Sequence, residues 1–285
     1  MNSSRTSHLV ITLSCPDKPG IVHAVSEFIV NLEGNIVDSQ QYDDPENDIF
    51  FMRVEIHTPH TVDKVRTSFK PLAKDYSMNW EIDVVGRRLR TIIMVSKEGH
   101  CLADLLYRSK SVHLPIDVVA VVGNHPDLAT IAQFYDAPFL CIPVTKATKD
   151  DAEKQLLNLI DAEKVELVVL ARYMQILSEK VCQKLHGRVI NIHHSFLPSF
   201  KGARPYRQAH ERGVKLIGAT AHYVTADLDE GPIIAQEVTR VSHRDTIASM
   251  VEKGQDVERL VLAQAVAWHS EHRVILNGTR TVVFE

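Results

Sequence analysis

Several features that would place the chain in a specialised class are missing from its sequence. No apolar run approaches the roughly 20 residues that a membrane-spanning helix needs. The net charge of −4 offers no basic field for nucleic acid or an anionic membrane. The four cysteines include no CxxC pair, which favours reduced thiols over a disulfide framework or a thiolate zinc site. Only a short apolar stretch precedes Pro16, so no signal peptide is predicted, and we expect a soluble cytoplasmic protein.

The first part of the chain has the pattern of a small mixed domain. Short apolar or β-rich runs predict strands, and apolar residues at helical spacing predict helices, in the order βαββαβ. The predicted strands cover residues 9–13, 36–42, 49–56 and 80–85, and the predicted helices run from Ile21 to Leu32 and from Val62 to Leu72. This order predicts a ferredoxin-like domain over residues 1–86, with two helices on one face of an antiparallel sheet.

The remaining residues, 87–285, have the pattern of a larger α/β domain. Continuous apolar runs are separated by helical stretches, and such runs are typical of parallel strands that are buried on both faces. They occupy residues 89–95, 116–122, 139–142, 167–170 and 189–192. We therefore expect an open, doubly wound, mostly parallel sheet whose ligands bind beyond the carboxyl ends of its strands. Asn277-Gly278 between two short β-like runs predicts a final hairpin.

Polar side chains gather where two predicted strands of this second domain end. Asn191 and His193 lie at the end of one strand, and alternation along an extended chain places both on one side, with His194 on the other. His222 lies in the next strand, Gly218–Tyr223, and Asp229 lies in the loop that follows it. The predicted topology brings these groups to one edge of the sheet.

An amide, an imidazole and a carboxylate suit chemistry at a carbonyl group. Positioned donors stabilise the charge that develops on oxygen, and a carboxylate beside an imidazole raises its proton affinity and fixes its tautomer. Asn191 and His193 would be the donors, and Asp229 would orient the imidazole and a nucleophile. The plainer alternatives are a structural histidine at a strand end and a turn-forming aspartate. A zinc site is disfavoured because the histidines lack HExxH-type spacing, and covalent catalysis because no GxSxG elbow is present.

The segments Val189–Gly202 and Gly218–Gln236 resemble those of the folate-dependent formyltransferases, and the resemblance spans roughly residues 89–275. It implies that Asn191, His193 and Asp229 form the formyl-transfer site. It also implies that the folate lies against residues on both sides of that site, with backbone groups near Gln175 and Leu177 holding the pterin. The implied substrate-binding residues are Met174, Gln175, Ile176, Leu177, Gly202, His222, Val224 and Asp227.

The loop after the first strand of the second domain departs from the pattern of glycinamide ribonucleotide formyltransferases. In that family a loop rich in Gly, Ser and Asn cradles the acceptor's phosphate with backbone N–H groups. The equivalent segment here, Ser96–Leu102, has a single glycine, and Glu98 places a negative charge where the phosphate would lie. Without an amine acceptor, water is the remaining nucleophile.

The N-terminal domain points the same way. Its Ser14–Val22 opening resembles that of ACT domains, regulatory modules that often bind amino acids and commonly pair side by side. ACT and formyltransferase-like domains in one chain resemble the deformylase branch of the folate family. The resemblance implies hydrolysis of 10-formyltetrahydrofolate to formate and tetrahydrofolate, without a tightly bound cofactor or a metal, in one-carbon balance and purine biosynthesis.

Further expectations concern partners and regulation. The same resemblance implies a homo-oligomer and an amino-acid effector near Asp17 and Gly20. Two alternatives remain open at this point. One is a formyltransferase that uses an unidentified amine, and the other is a non-catalytic protein that senses folate and amino acids.

Overall fold

A computed structural model describes residues 6–111, 114–198 and 205–285. The chain forms two compact units. The first unit extends to Arg87 and also takes in residues 271–277 and 281–285, which the sequence pattern had grouped with the second domain. The second unit runs from Arg88 to Ser270 and includes residues 278–280.

The first unit has the predicted βαββαβ order. Its elements are β1 (Ser7–Pro16), α1 (Ile21–Asn31), β2 (Asn35–Asp44), β3 (Ile49–Thr58), α2 (Val62–Asp75) and β4 (Asn79–Val84). The strands form an antiparallel sheet in the order β2-β3-β1-β4, which confirms the ferredoxin-like prediction.

Period-two alternation builds the core of this unit. Leu9, Ile11 and Leu13 of β1 pack in one buried cluster with residues of both helices, among them Val25 and Phe69. Apolar residues at every third or fourth position of the two helices form the rest of the cluster. Because alternate residues of a strand point to one face, both helices cover the same face of the sheet.

Polar contacts fasten the C-terminal segment to this unit. The fully buried Arg53 donates hydrogen bonds to the carbonyl oxygens of Glu271 and His272, at 3.1 and 3.2 Å. Asn277 Nδ2 donates to Asp44 Oδ2 at 2.7 Å. The segment ends in the predicted hairpin, with β12 (Val274–Asn277) and β13 (Arg280–Val283) joined through Gly278 at φ 60°.

The second unit alternates strands and helices before ending in an antiparallel pair of strands and a long helix. Its elements are β5 (Leu89–Val95), α3 (His100–Ser109), β6 (Ile116–Gly123), α4 (Ala129–Phe134), β7 (Phe139–Cys141), α5 (Lys149–Ala162), β8 (Leu167–Leu170), α6 (Glu179–Lys184), β9 (Val189–His193), α7 (Pro205–Glu211), β10 (Leu216–Tyr223), β11 (Ile233–Arg240) and α8 (Ile247–Ser270).

The seven strands lie in the order β11-β10-β9-β8-β5-β6-β7. Strands β5 to β9 are mutually parallel, whereas β10 and β11 run antiparallel to their neighbours. The mostly parallel, doubly wound sheet is therefore confirmed. The chain leaves β5 toward β6 on one side and returns to β8 on the other, so the crevice for a ligand lies beyond the carboxyl ends of β5 and β8.

One strand differs from the prediction. The apolar run at 139–142 was expected to be buried on both faces, but β7 is the edge strand, and Leu140 and Cys141 are exposed. Edge position, which depends on strand order, cannot be read from hydrophobicity. Among the described residues, no helix is both long enough and apolar enough to cross a membrane.

Candidate active site

Strand register brings the predicted polar groups together. Asn191 and His193 lie on β9, and the antiparallel pairing with β10 places His222 directly opposite Asn191. His193 and His222 are buried, with exposed fractions of 6% and 2%. Because directly opposed residues have their Cβ atoms about 5 Å apart, side chains on the same face of this strand pair must meet.

Hydrogen bonding fixes the ring of His222 and the amide of Asn191. His222 Nδ1 lies 2.9 Å from the carbonyl oxygen of Tyr223 and donates to it, so Nε2 is the acceptor of a neutral ring. Burial lowers the pKa of His222, which favours that neutral form. Asn191 Nδ2 is 3.2 Å from His222 Nε2 and therefore donates one of its two hydrogens there. That bond uses one of the two amide hydrogens and fixes the direction of the other.

Asp229 reaches the same point from the loop after β10. Its φ of 57° lies in the left-handed region, which non-glycine residues seldom adopt and which is enriched at functional sites. Its Oδ1 lies 3.3 Å from His193 Nδ1 and 3.9 Å from His222 Nε2. The hydrogen bond with His193 holds the pKa of Asp229 below its ordinary value, against the effect of burial. A carboxylate therefore faces the His193 ring.

This contact determines the tautomer of His193. With Nδ1–H donated to Asp229, the free nitrogen is Nε2, which is buried and has no hydrogen-bond partner among the residues that the structure describes. A buried polar atom without a partner is uncommon in folded proteins, and it is the atom left to exchange a proton with a bound molecule.

Gly231 closes the base of the Asp229 loop. The Tyr223 N–H donates to the Pro232 carbonyl at 2.9 Å, and a Cβ on residue 231 would lie 1.7 Å from the Tyr223 carbonyl oxygen. That oxygen is the one that holds His222. Only glycine permits this approach, so the glycine couples the path of the loop to the orientation of the imidazole.

These groups line one cavity of about 380 Å³ in the second unit. Its walls include the catalytic candidates Asn191, His193 and Asp229. They also include the predicted substrate-binding residues Met174, Gln175, Ile176, Leu177, His222, Val224 and Asp227. Gly202, which was predicted with them, lies outside the described residues. A cavity of this size suits a small organic ligand.

Much of the cavity wall is apolar, and hydrogen bonds to neighbouring elements fix the segment that forms it. Met174, Ile176 and Leu228 expose more than half of their surface at its rim. The Met174 N–H donates to Ser96 Oγ at 2.9 Å, and Ser178 caps α6 through its Oγ, so the segment between β8 and α6 is anchored at both ends. A fixed apolar slot suits a flat heterocycle.

His194 does not point away as the alternation predicted, because it also lines the cavity. Strand β9 ends at His193, so the alternation no longer applies one residue later. The segment beyond is fixed to β10 by Thr220, whose hydroxyl donates to the Ser195 carbonyl and accepts from the Leu197 N–H, both at 3.0 Å. Burial, aided by the Arg172 charge, lowers the pKa of His194 to about 4, so its ring is neutral at pH 7.

Three residues that shape this region, Gly231, Arg172 and Glu258, had no role of their own predicted from the sequence. The Gly231-Pro232 pair predicts a turn, but it does not predict that Gly231 lies close to the Tyr223 carbonyl oxygen. Arg172 lines the cavity, and Glu258 lies behind it on α8 with an exposed fraction of 1%. Glu258 falls on the same helical face as Gly254, Val261 and Leu262, and a charged residue on an otherwise uncharged face indicates a buried charge.

The loop after β5 contains one glycine, Gly99, and the acidic residue Glu98. Glu98 Oε2 accepts a hydrogen bond from Gln255 Nε2 at 3.2 Å, and α3 begins at His100. In the first unit, Asp17 and Gly20 lie in the exposed turn between β1 and α1, where Gly20 has a φ of 95°. The amino-acid site proposed there remains a prediction.

Two families match separate parts of the chain. The formyl transferase family matches residues 89–266, and the ACT domain family matches residues 7–83. A formyltetrahydrofolate deformylase from Corynebacterium sp. (strain P-1) is 51% identical over 277 residues, which are 96% of this chain and 97% of that protein.

Solved structures give the same result. A formyltetrahydrofolate deformylase from Pseudomonas syringae pv. tomato is 45% identical with a TM-score of 0.95, covering 100% of this chain and 96% of its own. Glycinamide ribonucleotide transformylase 1 from Symbiobacterium toebii is 28% identical with a TM-score of 0.66, covering 70% of this chain and 95% of its own. The transferase thus matches only part of the chain, whereas the deformylase matches all of it.

Proposed function

The chain belongs to the formyltetrahydrofolate deformylase family, and we propose that Asn191, His193 and Asp229 perform its reaction, the hydrolysis of 10-formyltetrahydrofolate to formate and tetrahydrofolate. The observation that carries this assignment is the contact of Asp229 with His193 in a cavity that also contains the oriented Asn191 amide. The folate is the substrate of this reaction, not a resident cofactor.

Asn191 supports the assignment as the donor to the formyl oxygen. Its amide is held by His222, so one N–H is fixed in direction before the substrate arrives. Donors that need no reorganisation stabilise the negative charge on oxygen in the transition state, and losing one typically costs about 3 kcal/mol. His222 therefore acts as a positioning residue for Asn191.

His193 would move the protons and Asp229 would hold it in place. The Nε2 atom takes a proton from water as the water oxygen bonds to the formyl carbon. The resulting imidazolium is stabilised by the Asp229 carboxylate 3.3 Å from Nδ1. The C–N10 bond then breaks, and the same proton passes from His193 to N10. The water oxygen and the formyl group leave as formate with one released proton, and N10 keeps the other proton of the water in tetrahydrofolate.

A direct assay tests this function. Purified protein incubated with 10-formyltetrahydrofolate alone is expected to release formate and tetrahydrofolate in equal amounts at a catalytic rate. Formation of product only when an amine is added would mean transfer instead of hydrolysis. Binding of folate without turnover would mean a non-catalytic sensor.

We further propose that the enzyme acts in the cytoplasm as a homo-oligomer, within one-carbon balance and purine biosynthesis, and that an amino acid regulates it. The ACT domain over residues 7–83 supports the effector. Titration calorimetry of the full chain with each amino acid is expected to find one that binds and alters formate release. Loss of that binding in an Asp17→Ala variant would locate the site in the β1–α1 turn, and unchanged binding would place it elsewhere.

A further inference from the structure

A buried carboxylate lies behind the cavity wall. The Glu258 side chain is 1% exposed and receives three groups from separate elements. Tyr206 Oη donates to Oε1 at 2.5 Å, His100 Nε2 lies 2.8 Å from Oε2, and Arg172 Nε lies 3.4 Å from the same oxygen. Burial would raise the pKa of Glu258, but the bond from His100, the Arg172 charge and the Tyr206 hydroxyl together hold it below its ordinary value.

The close packing around this carboxylate depends on a glycine. A Cβ on Gly254, in the interior of α8, would lie 2.0 Å from Tyr206 Oη. Glycine in a helix interior is less favourable than alanine. Its presence is explained by the room that Tyr206 needs to reach Glu258. We call Glu258, Tyr206 and His100 the carboxylate cup.

Arg172 is poorly satisfied by the contacts it makes. Its backbone has a φ of 62°, and its side chain is only 14% exposed. Within the described part of the chain, its Nε and Nη1 atoms are buried without a hydrogen-bond partner. Strained backbone and unsatisfied donors both cost stability. The guanidinium therefore serves the cup as a positive charge and a filler of space, not as a well-bonded structural group.

Arg172 and His194 stand between the cup and the catalytic groups. Both line the cavity, and the His194 ring lies 5.2 Å from the His193 ring and 6.3 Å from the Tyr206 ring. Glu258 is 1% exposed, whereas Arg172 both contacts it and lines the cavity, so Arg172 covers the carboxylate on the cavity side. The cup therefore lies behind the cavity wall, and the group that fills it, the Arg172 guanidinium, comes from the chain itself.

The chemistry of the cup suits an amine. A carboxylate with a phenol oxygen and an imidazole nitrogen recognises a primary amine or its ammonium form through charge-assisted hydrogen bonds. A metal ion is disfavoured because Arg172 adds a positive charge and because burial raises the pKa of the adjacent Cys101 well above its ordinary value, which keeps the thiol protonated.

We propose that Arg172 fills an amine-acceptor subsite formed by Glu258, Tyr206 and His100, and thereby leaves water as the nucleophile that reaches the formyl group beside His193. The inference rests on the proposed function. In a chain without Arg172, the nitrogen of a neutral primary amine attacks the formyl carbon while the C–N10 bond breaks. The amine proton passes to N10, which gives a formamide and tetrahydrofolate.

The test compares products instead of rates. Wild-type protein, Arg172→Ala and Arg172→Lys are each given 10-formyltetrahydrofolate and glycinamide, a small amine whose α-amino group is substantially neutral near pH 8. Wild-type and Arg172→Lys protein are expected to form formate only. Arg172→Ala is expected to raise the ratio of N-formylglycinamide to formate by at least about tenfold, the effect of one charge-assisted hydrogen bond.

A double variant identifies the subsite. Arg172→Ala/Glu258→Gln lacks the anion, so the gain in transfer should disappear. Formate as the sole product of folded Arg172→Ala, or transfer that persists in the double variant, would overturn the proposal. Absence of formate from wild-type protein would instead overturn the proposed function.

A second variant and readout cover the case in which Arg172→Ala does not fold. Arg172→Gln removes the charge but keeps a hydrogen-bond donor for Glu258, and its product ratio is read in the same way. Glycinamide should also raise the thermal midpoint of either variant more than that of the wild type, because a ligand that binds the folded state stabilises it. An equal response of variant and wild type contradicts the subsite.

Discussion

Replacing Asp229 by Asn is expected to lower kcat for formate release by roughly 10²–10⁴-fold, the range typical of general acid–base groups. The amide has nearly the same shape as the carboxylate, but it cannot stabilise an imidazolium 3.3 Å away at His193 Nδ1. It also no longer dictates the tautomer, because its NH₂ group tolerates the proton on the wrong ring nitrogen. Initial rates at saturating 10-formyltetrahydrofolate, with formate measured directly, check this result.

The neighbouring residue supplies a matched control. Glu230→Gln removes one negative charge from the same loop at an exposed position that is not part of the cavity wall, so its rate should stay near that of the wild type. A His193→Ala/Asp229→Asn double variant should be little worse than His193→Ala alone, because groups that act as a unit are not additive. Near wild-type turnover in either single variant would exclude the assigned roles.

Replacing Gly231 by Ala is expected to reduce kcat/KM by at least roughly 10²-fold, because a displacement of about 1 Å at a catalytic group has an effect of that size. The added Cβ would lie 1.7 Å from the Tyr223 carbonyl oxygen, so the backbone has to separate there. That movement disturbs His222, which bonds to the same oxygen, and Asp229, which lies two residues away in the loop. Steady-state kinetics and a thermal melt of the same preparation measure the two consequences separately.

Gly213→Ala separates this contact from ordinary glycine strain. Gly213 has a φ of +61°, and no atom of the described residues lies within 4 Å of the position that a Cβ would take, so the change strains the backbone without a clash among them. We expect a loss of stability of about 1 kcal/mol and a kcat/KM near the wild-type value. Equal losses of activity in the two variants would show that the Gly231 contact has no special role.

Hydrophobic periodicity and the turn-forming residues between the periodic segments were enough to predict the type of each domain. The βαββαβ order follows from local hydrophobic periodicity, and the continuous apolar runs indicated a parallel sheet, because both signals arise within single elements. Asn191 and His193 could be placed on one face of β9 for the same reason. The alternation argument then was wrong for His194, because the strand ends one residue before it.

Other features depend on groups that are far apart in the chain. The edge position of β7 depends on strand order, and the attachment of residues 271–277 to the first unit depends on Arg53, more than 200 residues away. The carboxylate cup gathers His100 from α3, Tyr206 from α7 and Glu258 from α8, and Arg172, from the segment after β8, fills it. No local pattern records such an arrangement, since burial and charge pairing are properties of the packed structure.

The sequence by itself determined the two domain types, the chemical character of Asn191, His193 and Asp229, and the composition of the loop after β5, which has one glycine and an acidic residue. These are matters of residue type, spacing and local conformation. Only the tertiary structure decided that Asp229 faces His193, that His222 holds Asn191, and that Arg172 covers Glu258. Hydrogen-bond geometry and burial require segments from different strands and helices to meet, and the distances between them exist only after the chain has folded.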